Sequence, residues 1–182
     1  MENDMVIVAI SGSLRHGSVN SAALRAAGRW AERSGIEFVI DEHLPQLPHF
    51  TPDDEGDPPN AVRIFRKALE HADAVVLAVP EYAFGIPGAF KNAIDWTVGS
   101  GSLDGKRVAV LSVALPGRGT DVRHALGRVL AAINAQVSYH SVPVAQSDRD
   151  ASGEIRDPGV VDALGDVVAT VAHDAQLPLR NR

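Results

Sequence analysis

Short apolar runs alternate with amphipathic stretches along the whole chain, and this alternation limits the fold more than any other feature. The amphipathic stretches carry apolar residues at helical spacing, whereas the runs are compact, β-branched and typical of buried strands. Strands that alternate with helices form βαβ units, whose right-handed crossovers place helices on both faces of a parallel sheet. The pattern predicts an α/β fold with a doubly wound five-stranded sheet. Its strands are expected at residues 6–10, 36–40, 74–79, 108–113 and 135–144.

The chain is expected to form one domain over residues 1–182. Its length suits a single core, and it contains no internal repeat, low-complexity segment or linker. The formal net charge is -6, and Lys and Arg do not gather into the basic face that nucleic-acid binders show. No apolar stretch reaches the roughly 18 residues that a membrane span needs, and no signal peptide is visible at the N-terminus. We therefore expect a cytoplasmic protein with neither nucleic-acid nor membrane partners.

The chain has no cysteine. This excludes disulfides, thiol nucleophiles, CxxC redox pairs, thiolate zinc sites and cysteine-ligated iron–sulfur clusters. Any redox chemistry must then be carried by a bound cofactor. The seven histidines are scattered, and none forms an H-x-x-x-H pair, which gives no reason to expect a metal site.

The loop after the first strand, residues 11–20, is a candidate phosphate site. It combines hydroxyls, an amide, a guanidinium and two glycines at the start of a helix, where backbone N–H groups and the helix dipole favour an anion. The residues expected to bind are Ser11, Ser13, Arg15, Ser18, Val19 and Asn20. The alternative is an ordinary polar turn with Asn20 as the helix cap. The loop has neither Walker nor dinucleotide-binding spacing.

The loop after the third strand carries no charge apart from Glu81 and contains aromatic residues. Such a loop suits a flat apolar ring. Its candidate residues are Pro80, Glu81, Tyr82, Ala83, Phe84 and Gly85. The alternative is that Tyr82 and Phe84 are simply core residues. The helix that follows carries Lys91 and Asp95 four residues apart, which favours a structural ion pair over a catalytic one.

Together the two loops resemble those of the NADPH-dependent FMN reductase family of flavodoxin-like proteins, which includes quinone and chromate reductases. The family signature is G-S-L-R-x-x-S-x-N after the first strand and P-E-Y-N-x-S-x-P-G-x-L-K-N-A-I-D-W after the third. Residues 12–15, Ser18 and Asn20 match the first motif; residues 80–82, 87–88 and 91–96 match the second. The chain departs from the family at Ala83 and Gly85, where Asn and Ser are usual. These changes bear on acceptor choice and flavin potential more than on flavin binding.

The resemblance implies an FMN-containing oxidoreductase with a flavodoxin-like fold and no catalytic side chain, in which the flavin passes hydride from NADPH or NADH to a small-molecule acceptor. Flavin, quinone or a similar compound would be the acceptor. The loop after the fourth strand would line the other edge of the flavin through Ser112, Pro116, Gly117 and Arg118. A homodimer or homotetramer is implied as well. The alternative is a non-enzymatic flavodoxin-like electron carrier or a flavin-binding regulator.

Overall fold

The computed structural model describes residues 5–178 and contains the predicted sheet. Five parallel strands lie in the order β2-β1-β3-β4-β5. The strands are β1 (Val6–Ser11), β2 (Glu37–Asp41), β3 (Ala74–Ala78), β4 (Arg107–Ser112) and β5 (Gln136–Ser141). The helices are α1 (Val19–Arg33), α2 (Asn60–His71), α3 (Gly88–Val98), α4 (Thr120–Ala132) and α5 (Pro158–Gln176). This order confirms the flavodoxin-like α/β fold.

The helices cover both faces of the sheet. One apolar core lies between the sheet and helices α1 and α5, and the other lies between the sheet and helices α2, α3 and α4. All five residues of β3 are buried, because this strand is central and is covered on both faces. The edge strands β2 and β5 are only partly buried, which explains their more polar sequences.

The fifth strand is shorter than predicted, since residues 142–144 continue the apolar run but leave the sheet. Its partner strand β4 ends at Ser112, which leaves no further ladder to pair with. The N–H groups of Val142 and Val144 still donate to the carbonyl oxygens of Ser112 and Val113, at 2.9 and 3.2 Å. The apolar residues of this segment are buried against α5 instead.

Helix α3 holds the proline-rich loop of residues 41–60 in place. The Trp96 indole N–H and the Asn92 amide both donate to the carbonyl oxygen of Pro48, each at 2.9 Å. Asn92 also accepts from the N–H of Phe50 at 2.8 Å, and the Lys91 ammonium lies 2.5 Å from the Asp95 carboxylate. Asn92 and Trp96 therefore contact the proline-rich loop, and Lys91 forms with Asp95 the ion pair that their spacing predicts.

Candidate active site at the carboxyl edge of the sheet

Three loops converge at the carboxyl edge of the sheet because the central strands end in register. Ser11 pairs with Ala78, and Ala78 pairs in turn with Leu111. Gly12 then crosses directly over the end of β3, and its N–H donates to the Ala78 carbonyl oxygen at 2.8 Å. A Cβ at Gly12 would lie 3.1 Å from the Cα of Val79, so the crossing depends on glycine.

Serine side chains organise the first loop. The hydroxyl of Ser18 caps α1 by accepting from the N–H of Asn20 at 3.2 Å, so Ser18, rather than Asn20, is the cap residue. The Ser13 hydroxyl accepts from the N–H of Arg15, and it lies 3.4 Å from the Tyr82 hydroxyl in the second loop. Arg15 itself is exposed. The loop therefore presents an exposed guanidinium beside a capped helix N-terminus.

The second loop is a tight turn that projects two aromatic side chains outward. Tyr82 and Gly85 exchange backbone hydrogen bonds of 3.0 and 3.1 Å, and Ala83 and Phe84 between them have φ values of 49° and 60°. Two residues with positive φ between such a pair form a type I′ turn. Tyr82 is 45% exposed and Phe84 81% exposed, so the interpretation of both as core residues is wrong.

Glu81 links the second loop to the third. Its carboxylate accepts from the N–H groups of Asp121 and Val122, at 3.0 and 3.1 Å. Those groups lie in the first turn of α4, where the backbone N–H groups have no partner within the helix. The cap residue of α4 is Gly119, which has no side chain to supply this bond. Glu81 therefore anchors the helix that follows the third loop.

A cleft of about 610 Å³ opens between the second and third loops and continues beside α4. Eight of the sixteen residues predicted to bind the cofactor line it: Val19, Asn20, Pro80, Glu81, Phe84, Ser112, Gly117 and Arg118. The other eight, Ser11, Ser13, Arg15, Ser18, Tyr82, Ala83, Gly85 and Pro116, lie in the same three loops outside the lining. The cleft thus has an apolar wall at Phe84 and a charged one at Arg118.

Several residues near the cleft carry no motif that would mark them in the sequence. The Arg149 guanidinium donates to the carbonyl oxygen of Gly17 at 3.1 Å and braces the first loop from 132 positions away. Tyr139 and His140 of β5 line the cleft, and burial lowers the pKa of His140 against the opposing charge of Asp174. No local pattern could have found these residues, because their neighbours come from distant parts of the chain.

Two further classes of site find no support in the part of the chain that the structure describes. Residues 5–178 hold no group of three or more His, Cys, Asp or Glu side chains arranged to bind a metal ion. None of the helices in this range is long and apolar enough to cross a membrane.

Comparison with known proteins identifies the family. The sequence profile of NADPH-dependent FMN reductases matches residues 5–148, which include all three loops. The chain belongs to this family. As an FMN reductase family member, it is 32% identical over 160 residues to a quinone reductase from Pseudomonas putida, covering 83% of this chain and 84% of that one.

This chain is also similar to a plant protein and to a protein of known structure. A probable NADPH:quinone oxidoreductase 2 from Oryza sativa subsp. japonica is 46% identical over 94 residues, which are 50% of this chain and 46% of that protein. The matched segments span about half the length of the first curated relatives. The flavoenzyme NAD(P)H:(acceptor) oxidoreductase FerB from Paracoccus denitrificans superposes with a TM-score of 0.77 at 28% identity, covering 94% of this chain and 97% of that one.

Proposed function

We propose that this protein is an FMN-dependent NAD(P)H oxidoreductase that reduces a small-molecule acceptor of the quinone class. The observation that carries the proposal is the convergence of a phosphate-type loop and an aromatic loop on one cleft, in a chain that belongs to the FMN reductase family. The relatives named as quinone reductases favour an enzyme over a non-enzymatic electron carrier.

The first loop fits the phosphate of FMN. Among residues 5–178, the backbone N–H groups of Gly17 and Val19 have no acceptor, and neither does the guanidinium of Arg15. Unpaired donors at a helix N-terminus are suited to a dianionic group. The proposed phosphate ligands are the hydroxyls and polar side chains of Ser11, Ser13, Arg15, Ser18 and Asn20, with Val19 supplying its N–H.

The cleft between the second and third loops fits a flat ring system. We assign the isoalloxazine to this space, with residues 80–85 on one side and Ser112, Pro116, Gly117 and Arg118 on the other. Phe84 presents an exposed aromatic face, and Gly117 has open space around its Cα at a φ of 82°. Backbone groups of both loops can then approach the ring edge without a side chain in the way.

Binding and orientation are the tasks of this chain, because FMN, when bound, supplies the hydride-accepting and electron-donating chemistry. Phe84 lines the cleft and would lie against one face of the bound flavin ring. Glu81 fixes the position of α4 and of the loop that precedes it. The proposal requires no side chain of this protein as a general acid or base.

The proposal has three further parts. Residues 1–182 form a single FMN-binding domain, and the protein acts in the cytoplasm on the NAD(P)H supplied there. It assembles as a homodimer or homotetramer. Support for assembly comes from exposed apolar side chains around the cleft, with Leu14 at 53%, Leu115 at 47% and Phe84 at 81% exposure. Light scattering on the purified protein measures the mass directly.

The decisive experiment combines a visible spectrum with cofactor release and turnover. We expect the purified protein, after incubation with FMN, to show flavin absorbance and to release FMN on denaturation. It should then oxidise NADPH or NADH when a quinone is added. Release of FAD, or no flavin after excess FMN, would refute the cofactor assignment. Stable FMN binding without NAD(P)H oxidation would instead indicate the electron carrier.

A further inference from the structure

A turn within the first loop is held by one arginine from a distant segment. The N–H of Ser18 donates to the Arg15 carbonyl oxygen at 3.3 Å, so residues 15–18 form a β-turn. Gly17 is the third residue of this turn, and its φ of 70° is the positive value that a type II turn requires there. The Gly17 carbonyl oxygen accepts from the Arg149 guanidinium at 3.1 Å.

The peptide group between Gly17 and Ser18 is therefore held at both of its polar atoms. Arg149 binds its carbonyl oxygen, and the Arg15 carbonyl oxygen binds its N–H. These two atoms point in opposite directions in a trans peptide, so the two hydrogen bonds together fix the orientation of its plane. The N–H groups of Gly17 and Val19, which we assign to the phosphate, lie one peptide group to either side. Their directions depend on that plane.

Arg149 begins a short hairpin of residues 149–156, which we call the clasp. The N–H of Asp150 donates to the Glu154 carbonyl oxygen at 2.9 Å, which closes the hairpin. The Asp150 carboxylate accepts from the Arg156 guanidinium at 2.8 Å and from the N–H of Glu154 at 3.1 Å. The clasp is therefore ordered by its own hydrogen bonds before it meets the first loop.

The clasp is also fixed to α1, the helix that the first loop precedes. The Glu154 carboxylate pairs with Arg25 at 2.6 Å and with Arg29 at 3.1 Å. Arg29 donates in addition to the carbonyl oxygen of Ile155 at 3.2 Å, and the Ile155 side chain is buried in the core. Arg149 thus reaches the first loop from a support that cannot move independently of α1.

A glycine in the clasp leaves room for the Arg149 guanidinium. Its Nε donates to the Gly153 carbonyl oxygen at 2.8 Å, while its Nη2 donates to that of Gly17. A Cβ at Gly153 would lie 2.7 Å from this Nη2, so any larger residue would displace the guanidinium. One planar group therefore bridges two carbonyl oxygens, which an ammonium group has no fork to do.

We propose that Arg149 is a positioning residue for the phosphate of FMN, which acts through the Gly17 carbonyl group to keep the donors of the first loop directed at one anion and so favours FMN over riboflavin. This inference rests on the proposed function and adds to it a residue outside both sequence motifs. Arg149 lies one position beyond residues 5–148, which the family profile matches. The contact with Gly17 is what assigns it to the site.

A comparison of FMN with riboflavin tests this role by binding alone. Riboflavin has the same ring and ribityl chain but no phosphate, so a residue that positions phosphate donors affects only FMN. The parent protein should bind FMN at least about a hundredfold more tightly than riboflavin, because several donors of the first loop contact the phosphate. Arg149→Met should weaken FMN about tenfold and leave riboflavin within about twofold. An unchanged ratio of the two affinities would overturn the proposal.

Arg149→Lys separates positioning from simple attraction of charge. This variant keeps the positive charge but cannot bridge the carbonyl oxygens of Gly17 and Gly153 with one planar group. It should still weaken FMN at least about threefold, again without an effect on riboflavin. Full FMN affinity in Arg149→Lys would show that charge alone matters, and the positioning role would be wrong.

Gly153→Ala moves the guanidinium without removing it. The added Cβ should displace Arg149 and lower the ratio of FMN to riboflavin affinity in the same direction as Arg149→Met. Gly35→Ala is the matched control, because Gly35 has a similar φ of 71° in an exposed turn with nothing near its Cβ position. Equal ratios in Gly153→Ala and Gly35→Ala would count against the proposal.

Amide hydrogen exchange in the FMN-free protein reports on the turn without any cofactor. Arg149→Met should accelerate exchange over residues 16–19, because the peptide group between Gly17 and Ser18 loses one of its two anchors. The control Gly35→Ala should leave exchange over this range unchanged. Unaltered exchange in Arg149→Met would mean that the turn is held without Arg149, and the proposal would be wrong.

These measurements also separate the inference from the proposed function. A parent protein that binds FMN and oxidises NAD(P)H, with the same FMN-to-riboflavin ratio in every variant, retains the proposed function and overturns the inference. Variants that lower the ratio in a protein that oxidises no NAD(P)H support the role of Arg149 and refute the enzyme. A parent protein that binds neither flavin refutes both.

Discussion

Ala83 and Phe84 occupy left-handed backbone conformations that alanine and phenylalanine rarely adopt. The family usually has asparagine at position 83, and asparagine tolerates this region better than alanine. In the sequence, the departure indicates the loss of a polar group beside the flavin. The structure adds a backbone consequence, since the alanine strains the turn between Tyr82 and Gly85.

Two substitutions at position 83 separate the backbone effect from the amide effect. Ala83→Asn should raise the free energy of unfolding by about 0.5–1 kcal/mol, since it relieves the left-handed strain. This corresponds to a rise of about 1–4 °C in Tm. Ala83→Gly relieves the same strain with a smaller gain, because glycine is more flexible in the unfolded chain. Thermal unfolding of the three proteins measures both.

The amide effect should appear only in Ala83→Asn. This variant should change the flavin potential and the ratio of quinone to chromate turnover, while FMN affinity stays within about tenfold, the effect of one uncharged hydrogen bond. Ala83→Gly serves as the control. Identical potentials and acceptor ratios in all three proteins would show that position 83 contributes to the turn alone.

Arg15 is the residue on which the phosphate assignment depends most directly. A charged hydrogen bond to phosphate contributes about 1.5–3 kcal/mol, so Arg15→Ala should weaken FMN binding roughly 10- to 150-fold. Its side chain is exposed and has no ion-pair partner among residues 5–178, so Tm of the apoprotein should not change. Arg33→Ala is the control for a lost surface charge. Normal FMN affinity in Arg15→Ala would contradict the assignment.

At the scale of elements, the site depends on how α4 is anchored. The glycines at positions 117 and 119 both have φ values of 82°, which give the third loop its shape but leave α4 without a side-chain cap. Glu81, forty positions earlier than Asp121, provides that cap from another loop. The second loop thereby contacts the first turn of α4 directly.

Removing this anchor should loosen the start of α4. Glu81→Ala should reduce the free energy of unfolding by about 0.5–2 kcal/mol, as loss of an N-cap does, and should accelerate amide hydrogen exchange over residues 117–123. Glu81→Gln is the matched control, since it keeps an accepting oxygen and loses only the charge. Unaltered exchange in Glu81→Ala would mean that the helix start is held by other contacts.

At the scale of the whole molecule, acid sensitivity should arise in part from His140. Burial lowers its pKa from the ordinary value of 6.5, and its Nε2 lies 2.9 Å from the Ser138 hydroxyl. Because the unfolded chain takes up the proton at a higher pH than the folded protein, stability is full above about pH 6.5 and falls below it.

The prediction is a decrease in Tm of the FMN-free protein between about pH 7 and pH 5, with a shallower slope in His140→Gln. His173→Gln is the control, since His173 is an exposed histidine on α5. The measurement compares the slope of Tm against pH in His140→Gln with the slope in the parent protein. This difference isolates the histidine, because carboxylates also titrate towards the lower end of this pH range. Parallel slopes in His140→Gln and the parent protein would rule out this contribution.

The order of the elements, the buried strands and the candidate loops all follow from the amino-acid sequence alone. Apolar periodicity is a local property, and so are caps such as Asp157 before α5 and ion pairs such as Lys91 with Asp95. The motif residues mark two of the three loops of the site without any knowledge of their packing. These features can be predicted because each depends on residues within a few positions of one another.

How the loops are joined, and which side chains stay free, depends instead on tertiary packing. The caps and braces supplied by Glu81 and Arg149 connect residues 40 to 132 positions apart. Likewise, the strain at Ala83 and the close approach of the Tyr139 hydroxyl to Gly127 follow from turn geometry and from the packing of α4 on β5. Such contacts have no local pattern, because they arise only when the crossovers bring distant segments to the same edge of the sheet.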